Sequence, residues 1–247
     1  KLTSNNIAFF TFNNRGNGLV NEAKKSGERT LQGTVFENVE DSYYDLVAAI
    51  KLMIAKGYNN IHLQGHSLGS TKTVYTYNKL IQNGEEELIN KIKSVILLSL
   101  VDVTEVMNYL IKSTNNQNLV ELALAKESEG GLEHIIDCKT PFLPLVSVKT
   151  FLKYYRDNKN IDFAKYTTKD FKFEKLNNIK VPIFMRWGNV NELISLPAER
   201  LAELMNVKID NDNKNISYID GATHNYRGKE ELLAEEILEF LKKSNNN

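Results

Sequence analysis

Only one cysteine, Cys138, occurs in 247 residues, so no internal disulfide can form and a cysteine-rich metal site is excluded. No histidine can be argued into partnership with it, so Cys138 reads as a small buried or half-buried apolar side chain. Net charge is equally scarce. Lysine plus arginine (31) balances aspartate plus glutamate (31), which removes the electrostatic footprint that nucleic acid or an anionic membrane surface would require. Long apolar runs are missing as well: stretches such as Val95 to Leu98 fall far short of a membrane span. No G-x-x-x-x-G-K-[ST] phosphate loop occurs, His-x-x-Glu metal spacing is absent, and Gly16-Asn17-Gly18 lacks the third glycine of a dinucleotide site. The expectation is therefore no metal, no organic cofactor and no nucleic-acid partner. The chain opens on Lys1 with neither a basic start nor an apolar signal core, which reads as a truncated cytoplasmic protein.

What is present is ordinary globular material, 42% hydrophobic and 25% charged, long enough for one large domain or one domain with an insertion. Asn6 to Phe12 is a short aromatic-rich run closed by Asn13 to Gly18, which predicts a buried strand ending in a turn. From Val39 the apolar positions Tyr43, Leu46, Val47, Ile50, Met53 and Ile54 follow one helical face, with Asn38 placed to cap it and Gly57 to end it. A strand at Asn60 to Gln64, a Gly-flanked turn and a helix through Leu80 come next. The run Val95-Ile96-Leu97-Leu98 predicts a central parallel strand covered on both faces. Strands alternating with helices imply an α/β fold with a mostly parallel sheet and helices on both faces.

Residues 103–178 break that rhythm, with helical patterns at Thr104 to Lys112, Leu119 to Lys126 and Val148 to Arg156 and links at Pro141 and Pro144. This predicts an inserted helical lid that divides the core into 1–102 and 179–247. Its aromatic residues Tyr109, Phe142, Phe151 and Tyr154 are candidates to line an apolar pocket. The alternation resumes with a strand at Val181 to Trp187, a helix from Pro197 to Met205, a strand at Ile216 to Ile219 and a terminal amphipathic helix from Lys229 to Leu241. A frayed tail is expected at Asn245 to Asn247.

The chemistry concentrates in Gly65-His66-Ser67-Leu68-Gly69, a G-x-S-x-G between a strand and a helix. The serine of such a turn projects above the sheet, and glycine is expected at 65 and 69 because backbone and helix approach there. Its position at a helix N-terminus favours developing negative charge, and the Leu68 N–H becomes an oxyanion donor. A serine hydroxyl needs a general base. Of the four histidines, His66 lies inside the turn, His62 belongs to a strand, and His134 falls in the insertion. His224 follows the last strand, at the sheet edge that also carries Ser67, and is the candidate base.

These residues resemble the α/β-hydrolase family of serine hydrolases, and among them lid-bearing esterases and poorly characterised bacterial hydrolases. The resemblance runs from Ile7 through Leu241. Phe12 to Gly18 is similar to the family's "D-x-R-G-x-G" turn, Gly65 to Gly69 to its elbow, Val181 to Asn191 to its acid loop and Gly221 to His224 to its histidine loop. It implies cleavage of an ester, or of a thioester or amide, in a small-molecule substrate through an acyl-enzyme. Acyl transfer by the same residues, or a binding protein that has lost turnover, are the alternatives. The acid departs from the pattern: Asn191 stands where the family usually has aspartate. Glu192 next to it, Asp102 after the strand ending near Leu100, or orientation of the ring by Asn191 alone all remain open. The resemblance also implies strands before Ile7 and a second oxyanion amide that Lys1 to Asn6 does not supply, amounting to roughly 40 to 60 residues.

Overall fold

The computed structural model describes residues 1–114, 118–139, 143–156 and 158–244. In chain order, a hairpin of β1 (Asn21–Lys25) and β2 (Glu28–Gln32) precedes α1 (Ser42–Ala55), β3 (Ile61–His66), α2 (Leu68–Gln82), α3 (Glu86–Ile89) and β4 (Ile92–Leu98). There follow α4 (Val103–Ser113), α5 (Asn118–Ser128), a short hairpin of β5 (Ile135–Asp137) and β6 (Leu145–Ser147), α6 (Val148–Tyr155) and α7 (Glu174–Asn177). The chain closes with β7 (Ile183–Val190), α8 (Ala198–Lys208), β8 (Lys214–Thr223) and α9 (Glu230–Ser244). Strands β3, β4, β7 and β8 form one sheet in that order, every pair parallel.

Both faces of this sheet are covered, which explains why β4 is a continuous apolar run. Val95 and Leu97 point into a core shared with α1, α2 and α8, where Tyr77, Leu80, Leu201 and Met205 are buried. Ile96 and Leu98 point the other way, toward Leu233, Ile237, Phe240 and Leu241 of α9. Phe184, Met185 and Trp187 of β7 are fully buried among them. Arg186 on the same strand is also buried, its charge answered by Glu236 of α9 at 2.6 Å and by the Asn215 carbonyl at 3.0 Å. Among the described residues, no helix is long and apolar enough to cross a membrane.

A third cluster is built mostly from residues 101 to 161, with Met107, Leu119, Val146, Phe151 and Tyr154 at its centre. Residues 163 to 176 pack instead into the main core through Phe163, Tyr166, Phe173 and Leu176. Glu37 ties the third cluster to the sheet: its carboxylate pairs with the buried Lys72 of α2 and accepts from the Tyr154 hydroxyl at 3.1 Å. Of the aromatic residues of this region, Tyr154 is buried in packing, Tyr109 is exposed, and Phe151 borders only a small cavity of about 10 Å³ beside Met107 and Leu119. Pro141, Phe142 and the Asn245–Asn247 tail lie outside the described residues. Cys138 is buried in the same cluster, and burial pushes its thiol up to about 12, so it stays protonated.

Asn6 to Phe12 is not a strand. Phe9, Phe10 and Phe12 are exposed, and a cavity of about 670 Å³ separates the segment from the outer edge of β3. A strand exists only through its ladder, and no described strand lies beside this segment to make one. The two small hairpins escaped the sequence pattern. That of β1 and β2 turns on Ser26 and Gly27, both at positive φ as a two-residue hairpin loop demands. Asn38 does not cap α1; its side-chain oxygen accepts from Lys153 instead, and a 3₁₀ turn at Val39–Asp41 leads into the helix.

Asp102 is the N-cap of α4, its Oδ1 accepting from the Glu105 N–H at 3.1 Å. Burial pushes this carboxyl up to about 6 against that hydrogen bond. The stability tied to its protonated form is therefore complete below the ordinary aspartate range near pH 4 and lost as pH rises through about 6. Asp102→Asn keeps a capping oxygen and deletes the buried charge. Relative to the parent, its urea midpoint should rise between pH 4 and pH 8; a difference that does not change with pH would count against this account.

Candidate active site

Strand β3 ends at His66 and α2 begins at Leu68, so Ser67 alone turns the chain. It does so with φ 55° and ψ −126°, a conformation rarely open to a residue with a side chain. The turn is tied to the next strand: the Ser67 N–H donates to the Leu98 carbonyl at 2.8 Å, and the Ser70 hydroxyl lies 2.9 Å from the carbonyls of both Gly65 and Leu98. Gly65 is required here, since a Cβ would stand 2.3 Å from the Gly69 carbonyl oxygen. Gly69 is not required on the same ground, because a Cβ there would meet open space. Leu68 is the first residue of α2, where backbone N–H groups have no acceptor within the helix.

His224 follows β8 directly, and its ring reaches back over the turn. Its Nε2 lies 3.0 Å from the Ser67 hydroxyl oxygen, and its Nδ1 is hydrogen-bonded to Glu192 Oε1. With the carboxylate as acceptor, Nδ1 carries the proton and Nε2 is left to accept from Ser67. His66 fixes this loop from below: its Nε2–H donates to the His224 backbone carbonyl at 2.7 Å, and the two rings lie 4.9 Å apart. Burial lowers the affinity of His66 for a second proton, which keeps it neutral in that role.

Glu192 is the carboxylate that the structure places against His224. Strand β7 continues to Val190, Asn191 takes a left-handed turn at φ 51°, and the Glu192 side chain folds back under His224 with only 3% of it exposed. Asparagine tolerates that backbone better than most residues, so it serves the turn. The Glu192 carboxylate has four donors: His224 Nδ1–H and the Leu193 N–H at 3.2 Å on Oε1, and the Gly188 N–H and the Ser99 hydroxyl, each at 2.9 Å, on Oε2. Burial pushes this carboxyl up, but its hydrogen bonds outweigh burial and hold it below the usual range. Asp102 is engaged elsewhere, at the start of α4.

The remaining histidines stand apart. His62 Nδ1 lies 2.7 Å from the Ser94 hydroxyl, and His134 is exposed beyond α5. Ser99 and Tyr226, which no sequence motif marks, are buried beside Glu192. Among the described residues, no group of three or more histidine, cysteine, aspartate or glutamate side chains is arranged to hold a metal ion.

Comparison with known proteins gives no matching family model and no matching curated protein. Solved structures do match. The α/β hydrolase GrgF from Penicillium sp. sh18 superposes with a TM-score of 0.54 at 13% identity, over 87% of this chain and 75% of that one. Est1E from Butyrivibrio proteoclasticus gives 0.50 at 16% identity, over 89% and 76%. A structure described with LipS and LipT, two metagenome-derived lipolytic enzymes, gives 0.50 at 15% identity, over 84% and 74%. At these identities the likeness speaks to architecture, and together with the parallel sheet flanked by helices on both faces it shows that this chain has the α/β-hydrolase fold.

Proposed function

We propose that this chain is a serine hydrolase that cleaves carboxylic esters through an acyl-enzyme. The observation that carries the reading is the continuous contact from the Ser67 hydroxyl through the His224 ring to the buried Glu192 carboxylate. Ser67 Oγ attacks the ester carbonyl carbon while His224 Nε2 takes its proton, and Glu192 stabilises the imidazolium that forms. The carbonyl oxygen becomes an oxyanion, to which the Leu68 N–H donates at the helix N-terminus. Collapse expels the alcohol, which leaves with the proton from His224. Water then attacks the acyl-serine, His224 takes the water proton, and Ser67 departs as the hydroxyl with the carboxylic acid released. These steps call on neither metal nor organic cofactor.

A carboxylate on His224 supports a working catalyst over a binding protein without turnover, because it answers the part of that alternative that rests on Asn191 standing in the acid's place. The description of the LipS and LipT structure as lipolytic supports an ester over an amide. Residues 103–178 would act as a lid. The support is that Leu68 and Leu193, which flank the nucleophile and the acid, both pack against the cluster built largely from that insertion.

A panel of p-nitrophenyl esters of graded acyl length, with labelling by a fluorophosphonate, tests the reading directly. Ser67→Ala should abolish the labelling and lower turnover by several orders of magnitude, since the three side chains act as a unit. Undiminished labelling of that variant would remove Ser67 from its role. Glu192→Gln should lower kcat by on the order of 10⁴-fold, the scale of a triad carboxylate becoming an amide. Asp102→Asn should leave kcat near the parent value. The reverse ranking in steady-state assays would transfer the acid's role to Asp102.

A further inference from the structure

Four residues with side chains adopt left-handed backbone around one carboxylate: Ser67, Ser99, Asn191 and Tyr226, with φ between 47° and 55°. Such conformations are costly and persist where the surroundings impose them. The elbow explains Ser67 and the acid turn explains Asn191. Ser99 and Tyr226 touch no reacting atom, and glycine would adopt the backbone of residue 99 more easily. What glycine lacks is the hydroxyl.

That hydroxyl is fully buried and stands at a junction. Ser99 Oγ lies 2.9 Å from Glu192 Oε2, 3.0 Å from the Tyr226 hydroxyl oxygen and 3.4 Å from the His224 carbonyl. It has one hydrogen for three oxygens, and the ionised carboxylate is the strongest acceptor of the three. Donation to Glu192 directs that hydrogen away from Tyr226, whose oxygen packs behind it. The Tyr226 hydroxyl donates to the Arg186 carbonyl at 2.8 Å, the same oxygen that accepts the Ser99 N–H at 2.7 Å. A buried line of hydrogen bonds thus runs from Ser99 to Glu192 to His224 to Ser67, with the Tyr226 hydroxyl anchored to the Arg186 carbonyl and packed behind Ser99.

We propose that Ser99, backed by Tyr226, is a positioning residue that holds the Glu192 carboxylate in place against His224. The proposal rests on the reading of Ser67, His224 and Glu192 as a triad. Asn191 and Leu193 set the backbone of the acid turn, but only the Ser99 hydroxyl reaches Oε2 from β4, alongside the Gly188 N–H from β7. The other titratable or charged groups around the pair are His66 beneath the His224 loop, Tyr166 and Tyr226, and Arg186, whose charge is paired with Glu236. Burial raises the Tyr226 hydroxyl well above the ordinary tyrosine range, so it remains a donor wherever the enzyme works.

The sign of the effect follows. Without the Ser99 hydrogen bond, Glu192 binds a proton more tightly, and the His224–Glu192 pair takes up its proton at higher pH. Ser99→Gly keeps the left-handed backbone and deletes the hydroxyl, so it separates the two roles. It should still fold, with a thermal transition somewhat below that of the parent because the lost donor outweighs the relieved strain, and lower ester kcat by roughly tenfold to a hundredfold, the scale of one charge-assisted hydrogen bond. KM should stay within about twofold of the parent, since substrate is not touched. The acid limb of kcat/KM should move to higher pH.

Tyr226→Phe should act in the same direction and less strongly. In the double variant it should add little to Ser99→Gly, as expected of residues acting in one chain. A second readout does not need activity: the downfield proton resonance of His224 Nδ1–H, assigned by its loss in Glu192→Gln, should titrate at higher pH in Ser99→Gly. Parent-like kcat and an unmoved titration in folded Ser99→Gly would overturn the proposal. A parent that neither labels nor hydrolyses any ester, with the resonance still shifted by Ser99→Gly, would instead remove the hydrolase reading and leave the positioning role standing.

Discussion

A carboxylate with only 3% of its side chain exposed stays ionised only if donors surround it, and the demand made by Glu192 organises the structure around it. Four donors are supplied from four directions: the His224 ring, the Leu193 and Gly188 amides, and the Ser99 hydroxyl. Each supply constrains backbone. Gly188 lies where β7 and the end of β8 close together, so closely that a Cβ would stand 2.3 Å from the Ala222 carbonyl oxygen. Asn191 must turn left-handed to return Glu192 under the sheet edge. Had the acid been exposed, none of these geometries would be needed.

The parallel sheet makes that convergence possible. All four strands run the same way, so the loops leaving their carboxyl ends emerge at one edge. Ser67 follows β3, Ser99 follows β4, the Glu192 turn follows β7 and His224 follows β8. Each strand of the sheet delivers one member of the constellation, although the residues span 157 positions of sequence between Ser67 and His224. Antiparallel pairing would have sent alternate loops to the opposite edge. Rigid strands behind each loop also explain how side chains so far apart in sequence can meet at hydrogen-bonding distance without a metal or disulfide to hold them.

How much of this could be read beforehand depended on whether a signal was local. Helical periodicity marked α1, α2, α4, α5, α6, α8 and α9 within a few residues, and the apolar run at Val95 to Leu98 marked a doubly covered strand, because burial on one or both faces is written into residue spacing. That Ser67 and His224 would meet at one sheet edge was legible from local features: a Gly-flanked serine between strand and helix, and a histidine after the last strand. Which group meets His224 stays open in the sequence among Glu192, Asp102 and Asn191 alone, since the choice turns on a left-handed residue at 191 that asparagine permits but does not announce. Ser99 and Tyr226 carried no signal, because positive φ at a serine or tyrosine has no sequence signature. Asn6 to Phe12 misled in the opposite sense. Its aromatic residues have the composition of a strand, but a strand also needs a neighbour, and composition is silent about neighbours.

The cluster of left-handed residues shows which energy wins at this site. Each such residue costs on the order of 1 kcal/mol of backbone strain, and more for a bulky side chain such as Tyr226. A buried carboxylate left without its donors costs several kcal/mol per charge. The strain is therefore the smaller quantity wherever it delivers a donor to Glu192 or a hydroxyl to His224. Glycine at 99 or 226 would relax the backbone and leave a buried acceptor without its hydrogen. At Gly65 the balance tips the other way, because there the side chain itself would collide with the Gly69 carbonyl. The same loop edge thus holds glycine where space is the constraint, as at Gly65 and Gly188, and strained polar residues where a side-chain hydroxyl is needed.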